Sequence, residues 1–469
     1  MPERYDIVII GGGIAGLACA LTAPEGARIA VVDKGEERAG SSPLAQGGIA
    51  AAVGPGDSAE LHATDTIAAG AGLCDEAIVR DICGEGPGVV AWLEGLGCRF
   101  DHAPDGSLDL AREGGQTVGR SVHATDATGF EIVRALREAA RGRATRISSR
   151  ATALLLSGER CAGVLTDDGP VLGRGVLLAT GGAGALWAAT TNAAGATGDG
   201  IALAMAAGAR LADLEFMQFH PTALDDGSAG RILLTEALRG AGATLVDEHG
   251  ERFVDELGPR HIVAKAIIER GHAFLDCRSI ERLTERFPTV VAGARARGFE
   301  PSTQPLPVSP AAHYFIGGVG VDAAGRTSIP GLYAAGECAA SGMHGANRMA
   351  GNSLLESVVL GRRASAMLDD NAGAADGEPH PPSGLLSLPD VTIPRLMWEG
   401  CGPFRDEMRL RGLLEALDRL APSLHRELCK GIGGRALERR ESRGVHQRTD
   451  FREPEPAFAH RSVSNDLFA

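Results

Sequence analysis

Tyr5-Asp6-Ile7-Val8-Ile9-Ile10-Gly11-Gly12-Gly13-Ile14-Ala15-Gly16 opens the chain with an apolar run that breaks at once into glycines. The run Tyr5–Ile10 suits a parallel strand buried on both faces. Gly11 to Gly16 predicts a turn, Ala15–Leu21 a helix of small residues, and Arg28–Val32 a second strand ending at Asp33. Together these make a βαβ unit. In Gly11-x-Gly13-x-x-Gly16 the first glycine makes the tight turn, the second admits a pyrophosphate, and the third lets helix and strand pack. The free N–H groups at the helix start, around Ile14 and Ala15, then face the phosphates. Asp33 stands 22 residues after Gly11, where an acid binds a ribose hydroxyl, and Lys34 follows it.

Composition narrows the rest. A chain of 469 residues corresponds, as a soft prior, to about three domains. Its 65 glycines point to many tight turns and close backbone approaches. Aromatics are only 4%, so stacking platforms for single-stranded nucleic acid are not expected. The net charge of −14 argues against nucleic acid and against an anionic membrane surface. An anionic substrate would therefore need a local cationic pocket. The nine cysteines include no C-x-x-C pair, which disfavours zinc ribbons and iron–sulfur clusters, so no metal site is expected. Scattered cysteines suit a reducing cytoplasm. Glu3 and Asp6 offset Arg4, and glycines interrupt Ile7–Leu21, so a signal peptide is not expected here. No unbroken apolar stretch reaches the ~18 residues of a membrane span.

Farther along, Asp75–Leu96 reads as a helix interrupted at Gly84, Pro87 and Gly88, and Thr128–Arg141 as a cleaner one. Between them lies a long polar loop, Asp101–Arg120. Arg146–Ala179 alternates strand and turn, and Gly200–Gly208 is an Ala-rich helix. Residues 319–368 form a second βα-like unit, 371–394 a Gly/Pro-rich linker, and 395–445 a charged helical region interrupted at Gly431–Gly434.

Two further patterns select FAD over NAD. Leu178-Ala179-Thr180-Gly181-Gly182-Ala183-Gly184 is an apolar strand running into a glycine turn. Ile329-Pro330-Gly331-Leu332-Tyr333-Ala334-Ala335-Gly336-Glu337 ends a strand in Gly-Glu, where ligands collect. In this order they resemble the two-dinucleotide-fold flavoproteins, which implies that Glu337 binds the ribitol hydroxyls of FAD, with Thr180 and Gly181 nearby.

The remaining motifs are Gln46-Gly47-Gly48, Gly198-Asp199-Gly200, Glu215-Phe216-Met217-Gln218-Phe219-His220-Pro221-Thr222, Thr235-Glu236-Ala237-Leu238-Arg239-Gly240, His313-Tyr314 and Asn347-Arg348. They resemble the succinate dehydrogenase/fumarate reductase flavoprotein superfamily and, within it, the L-aspartate oxidase family. The resemblance runs from about residue 5 to 365 and resumes at Arg439-Arg440-Glu441-Ser442-Arg443-Gly444. It implies an α/β fold: a Rossmann-like FAD-binding domain (1–213 and 316–370), an inserted α+β capping domain (214–315), the linker and a C-terminal helical region (395–469). That last region is shorter than is usual in the family.

The resemblance also assigns roles. Gln46, Gly47, Gly48, Asp199, Ser353 and Leu354 join the FAD contacts. Ser41 stands where succinate and fumarate enzymes carry the histidine that bonds FAD, so the cofactor is noncovalent. His220, His313 and Arg348 grip carboxylates, with Gln218 and Thr235 as donors. Arg260 is the proton-carrying arginine, although His261 replaces the acid that usually follows it. Glu113, in Ala111-Arg112-Glu113-Gly114-Gly115-Gln116, recognises an α-amino group, which needs a hydrogen-bonding partner where a methylene needs none. The implied reaction is hydride transfer from the α-carbon of L-aspartate to flavin, giving iminoaspartate, with oxygen (yielding peroxide) or fumarate as acceptor. It is the first step of de novo NAD biosynthesis, with quinolinate synthase consuming the product. The enzyme is expected in the cytoplasm as a monomer or weak homodimer. The alternative is the flavoprotein subunit of a fumarate reductase or succinate dehydrogenase.

Overall fold

The opening stretch folds as strand Arg4–Ile10, helix Ile14–Thr22 and strand Ile29–Val32. The computed structural model describes residues 3–35, 40–228, 230–370, 378–382 and 384–464. Strand Arg4–Ile10 is central: it pairs in parallel with Ile29–Val32 on one side and Gly169–Leu178 on the other. Thr145–Ile147 extends the sheet beyond Ile29–Val32, and the hairpin strands Arg160–Thr166 and Ala151–Ser157 extend it beyond Gly169–Leu178. Leu332–Ala334 adds in parallel to the last residues of Gly169–Leu178. Ile10 lies level with Val32 and Leu178, and Leu178 with Ala334. The parallel strands therefore end along one edge, where an open α/β sheet binds its ligands.

Two glycine contacts make that edge possible. Gly11 turns with φ +111°, and a Cβ there would lie 2.2 Å from the Ala179 carbonyl oxygen. Helix Asn352–Ala364 packs on helix Ile14–Thr22 through Gly361, where a Cβ would lie 2.3 Å from the Ala15 carbonyl oxygen.

A separate antiparallel sheet carries Met217–Leu224, Leu306–Phe315, Ala273–Asp276 and Thr244–Val246 in that order. Its core, including Leu224, Leu275, Phe287, Val291 and Leu306, forms its own cluster. The chain enters and leaves it through two short strands, Leu211–Ala212 and Gly318–Gly320, which pair with each other. Val463–Ser464, near the chain's end, pairs with Leu211–Ala212 as well.

Helices Ile393–Cys401, Glu407–Asp418 and Leu424–Glu438 pack on one another, so the short C-terminal region still makes three helices. Their Met397, Leu413, Leu428 and Ile432 share one apolar cluster with Leu178 and Leu203 of the sheet domain.

Local readings fail at several points. Helix Glu76–Gly95 runs unbroken through Gly84, Pro87 and Gly88. Asp75 caps it by accepting from the Ala77 and Ile78 N–H groups, and its buried stripe of Val79, Ile82, Val89 and Leu93 outweighs weak helix formers. Helix Leu424–Glu438 likewise runs through Gly431–Gly434, and Gly433 gives Leu413 and Leu414 room to pack. Residues 371–377 and 383 of the expected linker lie outside the described residues. Part of the rest meets Ala151–Ser157: His380 bridges Leu156, and the Leu386 N–H donates to the Thr152 carbonyl at 2.7 Å, while its last two residues open helix Ile393–Cys401. No helix among the described residues is long and apolar enough to cross a membrane.

Gly361→Ala will lower the midpoint of urea unfolding by the equivalent of about 1–3 kcal/mol, because overpacking outweighs the gain in helix propensity. Gly84 faces open space. Gly84→Ala will therefore raise the midpoint, by about 0.5–1 kcal/mol.

Candidate active site

One cavity of about 970 Å³ runs from the ends of the parallel strands to the antiparallel sheet. Gly11, Gly13, Ile14, Ala15, Asp33 and Lys34 line one part, and Ser41, Gln46, Gly47 and Gly48 another. Thr180, Gly181, Asp199, Glu337, Ser353 and Leu354 line it too. Gly16 does not: it faces the Gly11 carbonyl, where a Cβ would lie 2.2 Å away, and so serves packing rather than contact. The walls fit a dinucleotide. Gln46 Oε1, Asn192 Oδ1, Ser149 Oγ and Arg348 Nε are buried polar atoms of the lining that have no partner among the described residues. A ligand with hydroxyl, ring-nitrogen and carbonyl groups would satisfy them. Glu337 accepts from the Phe315 N–H at 2.8 Å, and desolvation pushes its carboxyl up to about 7. Ribitol hydroxyls suit such an acceptor.

At the other end six expected substrate or catalytic residues meet: Glu113, His220, Thr235, Arg260, His313 and Arg348 all line the cavity. Arg260 opens helix Arg260–Arg270, where a cation opposes the helix dipole. Glu236 compensates: its Oε2 accepts from Arg260 Nε at 2.7 Å. Despite burial, Arg260 and Arg239 hold the Glu236 carboxyl at about 2. Glu236, absent from the expected catalytic set, also accepts from the Gly114 N–H at 2.8 Å. It thereby ties the Glu113 loop to the antiparallel sheet domain. The sequence signal was present, an acid opening the helix after Thr235. The acid expected beside Arg260 is thus supplied by Glu236 rather than by position 261, and the His261 ring lies outside the cavity lining.

Gln218 corrects an expectation. It does not line the cavity. Its Nε2 donates to the Arg348 carbonyl at 2.8 Å and to Asn347 Oδ1 at 3.0 Å, and its Oε1 accepts from Arg260 Nη1 at 2.8 Å. Its amide thus links the Arg348 backbone to the Arg260 guanidinium.

The electrostatics favour an anion. Arg348 is buried, has no carboxylate within salt-bridge distance among the described residues, and lies 4.8 Å from the Tyr314 ring centre. Burial and Arg260 lower its pKa to about 10. Burial and Arg260 also push His220 well below its ordinary value, while desolvation and His220 do the same to His313. The Thr222 N–H donates to His220 Nδ1 at 3.3 Å, so the neutral ring carries its proton on Nε2. His313 Nδ1 is 2.9 Å from Thr191 Oγ1, and the two imidazole centres are 5.0 Å apart. Glu113 is buried against Gly47, accepts from the Gly48 N–H at 3.3 Å, and is raised by burial and by Glu236.

Comparison with known proteins agrees with this geometry. The family model described as an FAD binding domain matches residues 6–354. The fold matches the FrdA chain of E. coli quinol fumarate reductase with a TM-score of 0.90 and 29% identity, covering 99% of this chain and 94% of that one. A quinol-fumarate reductase with menaquinol matches with a TM-score of 0.87 and 30% identity, covering 100% and 95%. Fold and site together define an FAD-binding flavoprotein of the succinate dehydrogenase/fumarate reductase type. L-aspartate oxidase of Streptomyces coelicolor is 43% identical over 98% of this chain and 90% of its own length. That of Mycobacterium tuberculosis is 42% identical over 96% and 93%. The chain belongs to the L-aspartate oxidase family.

Gln218→Leu would leave Arg260 Nη1 and the Arg348 carbonyl buried without partners, at about 1–3 kcal/mol each. Its kcat/KM for L-aspartate in steady-state assays will fall about 10- to 100-fold or more while FAD remains bound. A second prediction follows from the two neutral imidazoles. An arriving dianion raises their pKa values, so binding takes up protons and affinity falls as pH rises through the liganded pKa. Calorimetry of succinate binding in buffers of different ionisation enthalpy will show net proton uptake.

Proposed function

We propose that the chain oxidises L-aspartate to iminoaspartate with noncovalently held FAD, passing the electrons to oxygen or fumarate. The observation that carries this reading is Glu113, a buried carboxyl group in the same cavity as two buried guanidinium groups. Arg348 and Arg260 suit the two carboxylates of the substrate, with His220 Nε2–H and Thr235 beside them. Glu113 suits the amino group, and burial and Glu236, which raise its carboxyl above the ordinary range, fit it to take a proton from the amine nitrogen. FAD, when bound, supplies the two-electron acceptor. The protein's contribution is to fix the α-carbon in place and keep the site dry, so that each charge contact acts in a low dielectric.

In this reading residues 1–213 and 316–370 form the FAD domain, 214–315 cap it, and 395–469 form the helical region. Ser41 lines the cofactor cavity and cannot form a histidyl bond. The enzyme acts in the cytoplasm as a monomer or weak homodimer, and quinolinate synthase uses its product for NAD. The likeness to fumarate reductases supports fumarate as a second ligand of the same grips, and with it fumarate reduction as the second reading.

Anaerobic titration with L-aspartate will bleach the flavin spectrum, and admitting air will produce peroxide. Bleaching by succinate alone would favour the dehydrogenase-subunit reading. Glu113→Leu will lower kcat/KM for L-aspartate about 100-fold, with a much smaller change in succinate binding. Equal losses would remove the amine-recognition role.

A further inference from the structure

The family model for FAD binding ends at residue 354, yet the cavity does not. Four of its lining residues come from farther along the chain: Ser387, Leu388 and Pro389 of the linker and His425 of the C-terminal helical region. His425 belongs to helix Leu424–Glu438, which packs on helix Asp199–Ala206. It is 1% exposed, and its Nε2 lies 3.0 Å from Asp199 Oδ1. The other Asp199 oxygen accepts from Lys34 Nζ at 2.6 Å, and Lys34 also donates to the Gly195 carbonyl at 2.8 Å. Burial opposes charge on Asp199, but His425, Lys34 and Thr197 hold its carboxylate well below the usual range. His425 Nδ1 is buried with no partner among the described residues. Lys34 adjoins Asp33, the acid just past strand Ile29–Val32, so this end of the cavity suits an adenosine ribose. Leu386, anchored on Thr152, places Ser387–Pro389 near Ser149, Arg150 and Ala151 of the same wall.

We infer that linker residues Ser387–Pro389 and the C-terminal helix carrying His425 form the outer wall of the adenosine–pyrophosphate end of the cofactor site. His425 is a cofactor-positioning residue acting through the Asp199–Lys34 pair. Binding of FAD and docking of residues 384–389 and 424–428 are therefore coupled, since these segments line the cavity the cofactor fills. The inference rests on FAD as the cofactor, and FAD binding by the unaltered protein tests that separately.

The test uses the full chain stripped of FAD, with FAD, ADP and FMN as probes. ADP carries the adenosine and pyrophosphate without the flavin, and FMN the flavin without the adenosine. Hydrogen exchange of the unaltered protein will slow in 384–389 and 424–428 on adding FAD or ADP, and will not change with FMN. His425→Ala will weaken FAD and ADP alike, by about tenfold, the value of one lost charge-assisted hydrogen bond. His425→Gln, which keeps a donor for Asp199, will recover most of that loss. Leu388→Ser, at an exposed position, will raise the FAD Kd several-fold and keeps the test open if His425→Ala does not fold. Unchanged exchange in both segments with FAD bound overturns the inference. So does an unaltered FAD Kd in folded His425→Ala, or equal losses in the Ala and Gln variants.

Discussion

A buried guanidinium without a carboxylate is the constraint on which this site turns. Arg120 shows the ordinary solution: fully buried, its Nη2 lies 3.2 Å from Asp57 and 2.9 Å from Asp65. Arg348 is nearly as buried, but its contacts are the Tyr314 ring and the backbone. Taking such a charge from water costs several kcal/mol unless an anion replaces the water. The protein does not supply that anion at Arg348, so the ligand must. The acidic chain thus solves the problem of an anionic substrate locally, against its overall charge of −14.

Holding Arg348 and Arg260 together requires two domains to meet. Gln218 and Glu236 belong to the antiparallel sheet domain, and the Arg348 carbonyl and Gly114 N–H they bind lie outside it. That domain hangs on the paired strands Leu211–Ala212 and Gly318–Gly320, and the C-terminal segment adds to the joint. Arg461 Nε donates to Asp213 Oδ2 at 2.7 Å, and Arg439 Nε to Glu215 Oε1 at 2.6 Å. Arg405, wholly buried, donates to the Glu215 carbonyl at 2.6 Å. Glu215 precedes the strand that carries Gln218 and His220. The C-terminal region therefore braces both the cofactor wall and the root of the substrate wall.

The sequence made the cofactor end legible because its rules are local. Gly11 and Asp33 act within one βαβ unit, where spacing alone fixes their relation. The substrate end was legible through family resemblance: His220, Arg260, His313 and Arg348 are far apart in sequence, and no periodicity joins them. Gln218 was harder to read because a side-chain amide near a site is equally suited to ligand and to scaffold, and its three partners are tertiary facts. Glu236 was visible as part of a motif, but its pairing with Arg260 is a tertiary fact. His425 had no signal at all, since a histidine at the start of an ordinary helix gains meaning only when that helix packs beside Asp199. Gly84, Pro87 and Gly431–Gly434 were overread as breaks because propensity is weak against a buried face.

In the proposed function, Glu113 lets one set of grips serve both an amino acid and an unsaturated dicarboxylate. Arg239, Arg260 and Arg348 bring three positive charges near the substrate end, and Glu236 cancels one. Aspartate with a protonated amine carries one net negative charge, and fumarate carries two. A carboxyl group fixed at either extreme of its range would favour one ligand at the expense of the other. Burial and the Glu236 carboxylate push Glu113 up while Arg260 and Arg348 pull it down, and the upward push prevails. An apolar residue there would leave a dicarboxylate site intact and remove its means of holding an amine.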